Sequence, residues 1–311
     1  MKKVKESVQD VMAYINKSLG YKTLLKPPTW WLDTGYPRLN AVMGSPKYGL
    51  ASGKVYLIAG KESSGKSLIA AMIAGLGQKK KAEVGWIDVE ESFDRAHVRR
   101  QGLHGSKVAL FTPLYGQFKL SKKSKKNAIE EVEPAEYMLT RVELWMKLMR
   151  KKNPDGKIVL VLDSTNALSP KEEQEAGYTD SNMRTKIAPA VFLNMLTKRL
   201  SLLAVHTNAI VILISQLRTN PAKMFGNPDY IPGGGGLKYH PSSIVWMRRV
   251  ADGAIREGGK EGKQIGVKGL ITNTKNKVGG GSIERKKAGY IAYFYKNNWQ
   301  FISSSKIKKE K

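Results

Sequence analysis

Eight consecutive residues constrain the fold of this chain more than any others: Gly60-Lys61-Glu62-Ser63-Ser64-Gly65-Lys66-Ser67, a complete G-x-x-x-x-G-K-[ST] run. It follows a strand-like apolar stretch at 55–59 (VYLIA) and precedes a helix-like stretch at 68–75 (LIAAMIAG). That strand–loop–helix order is the context the motif requires, and it commits the chain to an α/β fold around a mostly parallel central sheet. Gly60 and Gly65 let the backbone N–H groups of Lys61, Glu62, Ser63 and Ser64 close around phosphates, with the positive helix N-terminus behind them. Lys66 would neutralise charge on the β- and γ-phosphates, and the Ser67 hydroxyl would ligate Mg²⁺. A nucleoside triphosphate with Mg²⁺ is therefore the expected ligand.

Such a loop needs an acid on a neighbouring strand. Residues 157–162 (KIVLVL) form an unbroken apolar strand ending at Asp163, which would lie at the carboxyl edge of the sheet beside Mg²⁺. Asp88, closing the shorter stretch 84–88 (VGWID), is the rival. Glu90, two residues further on, shares the side of an extended chain with Asp88 and is placed to polarise water near a γ-phosphate. Spacing alone leaves both aspartates open.

A third region, 211–239, runs from another fully apolar strand into a long Gly-rich loop, VILISQLRTNPAKMFGNPDYIPGGGGLKY. Gln216 marks the strand end. The glycines 233–236 predict neither helix nor stable strand just beyond. Arg218 and Lys223 can meet phosphate, and Met224-Phe225 has no evident core to enter. The loop reads either as an irregular surface segment or as a basic, aromatic-tipped contact for single-stranded nucleic acid.

Taken in order, GKESSGKS at 60–67, WIDVEESFD at 86–94, LVLDSTNALSPKEE at 160–173, ILISQLR at 212–218, MFGNP at 224–228, GGGGLKY at 233–239 and TKNK at 274–277 resemble the RecA-type recombinases, in the compact form carried by bacteriophages. MFGNP after S-Q-L-R is the most specific piece. The resemblance implies a RecA-like ATPase core over 31–300, a small N-terminal helical segment (1–30) for subunit docking, and a basic tail (301–311). It implies that Glu90 activates water, that Gln216 senses the γ-phosphate, and that Asp163 is the magnesium-side acid. Asp94 and His97 fall where the family contacts adenine. Residues 174–184, with Met183 and Arg184, match a first DNA-binding loop. Residues 219–236 match a second, so that Lys223, Met224, Phe225, Gly226, Asn227, Gly233 and Gly234 face DNA, with Arg218 just ahead of the loop as a further DNA-binding residue. Lys275 and Lys277 match a pair that reaches ATP on the neighbouring subunit, and alternate strand residues do face one way. Pro221 stands where relatives commonly carry an apolar wedge. The implied activity is a DNA-dependent ATPase that forms helical filaments on single-stranded DNA and exchanges strands with double-stranded DNA. A ring-forming helicase on a similar core, or a DNA-coating and annealing protein with a vestigial ATPase, are the alternatives.

Composition agrees with a polyanionic partner. Lys and Arg number 53 against 26 acids, a formal net charge of +27, which favours nucleic acid and steep salt dependence. No cysteine is present and the four histidines show no zinc spacing, so disulfides and thiolate metal sites are excluded. No apolar run near eighteen residues and no leader-like N-terminus are evident, which predicts a cytoplasmic protein without membrane contact. Periodicity predicts an amphipathic helix over 4–19 before the break at Pro27-Pro28, an exposed Lys- then Glu-rich insertion over 117–134, a helix over 138–149, and strands at 244–250, 265–273 and 290–295.

Overall fold

The computed structural model describes residues 14, 17–18, 27–116, 131–176, 183–258, 261–279, 289–294 and 298–302. Most of the helix expected over 4–19, residues 117–130 of the insertion, residues 177–182 of the first expected DNA-binding loop and the tail from 303 lie outside them.

The elements follow in chain order. Strand β1 (Trp31–Leu32) precedes helix α1 (Pro37–Met43), β2 (Leu50–Ala51) and β3 (Lys54–Gly60). Helix α2 (Lys66–Lys79), β4 (Ala82–Asp88), α3 (Arg95–Arg100) and β5 (Val108–Phe111) come next. They lead to β6 (Tyr115–Gly116), β7 (Glu131–Val132), α4 (Ala135–Lys152), β8 (Lys157–Asp163) and α5 (Lys171–Ala176). Helix α6 (Met183–Thr207) feeds β9 (Ala209–Gln216), then β10 (Arg218–Thr219), β11 (Asp229–Tyr230) and the short α7 (Gly236–Tyr239). Strands β12 (Ser243–Glu257), β13 (Lys263–Asn276), β14 (Gly289–Phe294) and β15 (Asn298–Ile302) are the last of the described elements.

One nine-stranded sheet organises these pieces in the order β15-β14-β13-β12-β3-β9-β8-β4-β5. The run from β12 to β5 is parallel and the four-strand extension β12 to β15 is antiparallel. Parallel strands must be covered on both faces, which is why β8 and β9 read as continuous apolar runs. Alternation along β3 sends Tyr56 and Ile58 to one core with Leu39, Ile69 and Ile73, and Val55 and Leu57 to the other with Met138, Leu196 and Leu200. Helices α1 and α2 close the first face; α4 and α6 close the second. Each buried Leu or Ile contributes about 1.5–3 kcal/mol relative to exposure, so the two layers hold the sheet's carboxyl edge rigidly in place.

Three expectations need correction. Helix α6 contains a stretch, Ile187–Thr207, long and apolar enough by length and composition to cross a membrane, although 44% of its most apolar window is buried within the fold. Its apolar length arises because Phe192, Leu193, Leu196, Leu200 and Leu203 pack on the sheet. The end of the insertion is no exposed loop: Glu131–Val132 pairs with Tyr115–Gly116, and the buried Glu133 carboxylate binds the Arg141 guanidinium and the Leu114 N–H. A buried carboxylate persists when it is paired in this way. Finally, the glycines 233–236 do not rule out a helix, because α7 starts at Gly236. A side chain there would strike Asn194 Cα and come within 2.9 Å of Thr197 Oγ1, so this glycine serves close packing against α6.

Candidate nucleotide site and nucleic-acid interface

The P-loop sits where the sequence places it, between β3 and α2 at the carboxyl edge of the sheet. Gly60 is required by close approach, since a Cβ there would collide with Ser64 Oγ and lie 2.7 Å from the Met247 carbonyl. The first turn of α2 has no side-chain cap, so its N–H groups remain available to an anion. Ser64 Oγ is buried and, among the described residues, without a hydrogen-bond partner. An uncapped helix start, an orphaned buried hydroxyl and a cationic side chain facing one loop fit a bound polyphosphate. The cleft of about 370 Å³ over this loop is bounded by residues 63–68, His97 and the strand residues Met247, Arg249, Val267 and Lys268.

Lys66 is 7% exposed, and its ammonium donates to the Lys61 carbonyl at 2.8 Å. Burial holds its pKa below the usual lysine value, with the Asp163, Glu90 and Glu62 carboxylates pulling it back up. Asp163 shows the converse: burial pushes its carboxyl up to about 6, reinforced by Glu90 and Asp88 and opposed by a hydrogen bond to Ser67 and the Lys66 charge. The two strand-end acids differ in their contacts. Asp88 spends its carboxylate on the following turn, accepting from Ser92 N at 3.1 Å and Phe93 N at 2.8 Å. Asp163 faces Ser67, the pair of residue types that binds Mg²⁺ in such sites.

Glu90 is exposed just beyond β4, and its Oε1 accepts from Ser164 Oγ at 2.5 Å and from Gln216 Nε2 at 3.3 Å. The predicted water-activating carboxylate and the predicted phosphate sensor are thus in direct contact, brought together by the neighbouring ends of β4, β8 and β9. Of the two adenine candidates, His97 lines the cleft. Asp94 instead N-caps α3, accepting from Ala96 N at 2.7 Å.

Two residues past Gln216, β10 and β11 pair as Arg218↔Tyr230 and Thr219↔Asp229, making the second loop a hairpin rather than a shapeless segment. Lys223 and Gly226 are exposed at its tip, and Met224 and Phe225 are 88% and 87% exposed. Asn227 turns inward, accepting from Asp229 N at 3.3 Å. Gly233 and Gly234 abut Leu193 and Ala190 of α6. Met183 is exposed at the start of α6, while the side chain of Arg184 lies outside the described residues.

The chain is also similar to known proteins. The family model for the RecA N-terminal domain matches residues 142–289. The protein RecA of Clostridium botulinum (strain Eklund 17B) is 30% identical over 279 residues, covering 88% of this chain and 68% of that one. The protein RecA of Clostridium beijerinckii is 29% identical over the same length, with the same coverage. Protein RecA 2 of Myxococcus xanthus is 30% identical over 248 residues, 79% of this chain and 59% of its own. The chain belongs to the RecA family. Its architecture is accordingly a RecA-like P-loop ATPase core, and its family-level role is that of a RecA-type recombinase.

Lys275 and Lys277 do not line the P-loop cleft. They face a separate groove of about 670 Å³ with Lys223, Lys238, Tyr239 and Trp246. Lys275 Nζ donates to the carbonyls of Lys238 at 3.0 Å and Tyr239 at 2.6 Å, the C-terminal end of α7. Partial burial and the nearby Lys277 charge lower its pKa.

Sequence reasoning did not single out several of these contacts. Arg249 and Lys268 border the nucleotide cleft only because β12 and β13 extend the sheet across it, a long-range pairing with no local signal. Lys61 forms an ion pair with Asp229 at 3.1 Å, linking the P-loop to the hairpin. Ser164 and Asn166 do carry a signal, a polar run straight after an apolar strand, but their partners lie on other strands.

Proposed function

We propose that this chain is a DNA-dependent ATPase that assembles as an ATP-bound helical filament on single-stranded DNA and promotes homologous pairing and strand exchange with duplex DNA. The observation that carries this reading is the Glu90–Gln216 contact, which joins a carboxylate at the nucleotide site to the residue two positions before a hairpin with exposed Lys223, Met224 and Phe225.

ATP·Mg²⁺ supplies a polarised terminal phosphoryl group when bound. Residues 60–65 would hold the phosphates through backbone N–H groups, Lys66 would neutralise their charge, and Ser67 with Asp163 would hold the metal. His97 would border the base, with Asp94 ordering the helix that presents it. Glu90 accepts the proton of the attacking water, and Ser164 and Gln216 orient its carboxylate for that task. Gln216 changes partners when the cleft fills, and the β10–β11 hairpin, rooted two residues away, answers. Arg218 and Lys223 then meet phosphates while Met224 and Phe225 stack against bases, with Gly226, Gly233 and Gly234 allowing close approach; Met183 and Arg184 serve the first loop.

Lys275 and Lys277, directed away from their own P-loop cleft, would clamp the triphosphate held by an adjacent subunit. Residues 1–30 are assigned to subunit docking, 31–300 to the ATPase core and 301–311 to electrostatic attraction for duplex DNA. Images of the protein on single-stranded DNA with a nonhydrolysable ATP analogue test the assignment. Open helical filaments are expected. Closed rings would favour a helicase, and nucleotide-independent coating would favour an annealing protein.

A further inference from the structure

Strand β8 stops pairing with β9 at Leu162↔Leu213, whereas β9 runs on to Gln216 with β3 alone beside it through Ala59↔Ser215 and Gly60↔Gln216. The flank of β9 that faced β8 would there lose its main-chain partners, a costly arrangement at a mostly buried edge. Asn166, in the 3₁₀ turn Thr165–Ala167 that follows β8, fills the gap. Its Oδ1 accepts from Gln216 N at 2.7 Å and from Ser215 Oγ at 3.1 Å, and its Nδ2 donates to Gln216 O at 3.3 Å. One carboxamide therefore satisfies both main-chain groups of one residue, as a strand neighbour would in a parallel ladder. No other side-chain type of this length both donates and accepts.

We propose that Asn166 is the positioning residue for Gln216: by holding its backbone from the β8 side, it sets the direction in which the Gln216 side chain meets Glu90 and transmits occupancy of the nucleotide cleft to the hairpin. The inference rests on the proposed function in one respect, that Gln216 is the sensor. Alanine at 166 leaves the Gln216 N–H and C=O unpaired and free to rotate. Aspartate keeps the acceptor but sets a carboxylate oxygen against the Gln216 carbonyl, undoing half of the clamp.

The deciding quantity is a ratio, the single-stranded DNA dissociation constant with ADP over that with a nonhydrolysable ATP analogue, measured on the full chain. Asn166→Ala is expected to lower this ratio by about tenfold, within the usual range of coupling between sites. The KM for ATP should stay within about twofold while kcat falls by about tenfold, since phosphate binding through Lys66 and Ser67 is untouched. Asn166→Asp should give an intermediate ratio. A variant that melts earlier but keeps the wild-type ratio and kcat makes Asn166 a purely structural residue and overturns the proposal. Should Asn166→Ala fail to fold, an unchanged ratio in Asn166→Asp overturns it equally. A wild-type ratio of one, which needs no variant to see, overturns the sensor role of Gln216 itself.

Discussion

The P-loop floor and the hairpin that starts two residues beyond β9 lie close together, yet they are built on opposite physical terms. Lys66 and Asp163 are themselves enclosed, their charges shifted by burial, while Ser67 and Glu90 beside them are exposed. At the hairpin tip, Met224 and Phe225 touch almost nothing, and turn bonds such as Asn220 N to Pro228 O at 3.0 Å and Lys223 N to Asn220 O at 3.2 Å shape the segment. The first region is prepaid in folding free energy and suits chemistry that needs preorganised charge. The second keeps apolar and cationic side chains in water, where only a partner can cover them. A substitution in the first should therefore alter turnover, and one in the second should alter affinity.

The largest expected effect tests the region around the P-loop. Glu90→Gln keeps the side-chain size and an acceptor for Ser164 but removes the base, so turnover should fall by about a hundredfold or more while ATP affinity changes little. Single-turnover hydrolysis beside nucleotide titration measures both. Wild-type turnover in this variant would erase the contrast, because the P-loop region would then not be where chemistry happens.

The next tests the exposed region. Phe225→Ala should weaken single-stranded DNA binding by about 1–3 kcal/mol, the scale of one lost base–aromatic stack. DNA-free nucleotide binding and thermal stability should hold, since an 87% exposed ring supports no core. A drop in melting temperature with DNA affinity preserved would show that the tip is a packing element.

How much of this contrast the sequence made legible follows from the range of the interactions. Residues 60–67 are contiguous in the chain, from the end of β3 to the start of α2, and the apolar run to Asp163 is unbroken, so local pattern was enough for β3, α2 and β8. Asp88 and Asp163 could not be separated in the same way, because their difference lies in Ser92 and Phe93 against Ser67. The Gly233–Gly236 run misled for a related reason. Glycine signals either freedom or close approach, and only the proximity of Asn194 on α6 shows that Gly236 serves the latter. The Asn166 clamp and the cleft wall at Arg249 and Lys268 depend on strand order, which no window of sequence contains.

A smaller effect concerns the cost of enclosure. The Asp163 carboxyl is raised from 3.8 to about 6, so the folded chain binds its proton more tightly than the unfolded chain does. Below pH 4 both states are protonated and nothing is lost. Between pH 4 and 6 the penalty grows, and above 6 it is fully present. Asp163→Asn, free of this titration, should gain stability relative to wild type across that window by on the order of 1 kcal/mol in metal-free buffer. Urea melts at pH 4, 5, 6 and 7 measure it. A constant difference at all four values would place the acid in water rather than in an enclosed site.

The weakest expected effect sits on the boundary between the two regions. Lys61 belongs to the P-loop and Asp229 to the hairpin, and their 3.1 Å ion pair is the direct side-chain bond from one to the other. The Lys61 side chain is 58% exposed, so solvent and salt screen it, and a value of about 0.2–1 kcal/mol is the ordinary scale for such a pair. Asp229 has a second partner in Thr219 Oγ1 at 2.8 Å, which stays when Lys61 is removed. A double-mutant cycle of Lys61→Ala with Asp229→Ala, read as stability at low and high salt, should therefore give a small coupling that shrinks as salt rises. Read instead as ATP-dependent DNA affinity, the same cycle should also stay below about tenfold, because the proposed route from nucleotide to hairpin runs through Gln216. A coupling in DNA affinity larger than that of removing Gln216 would invert the assignment. The exposed loop would then be governed by its surface latch, and the contact of Gln216 with Glu90 would serve hydrolysis alone.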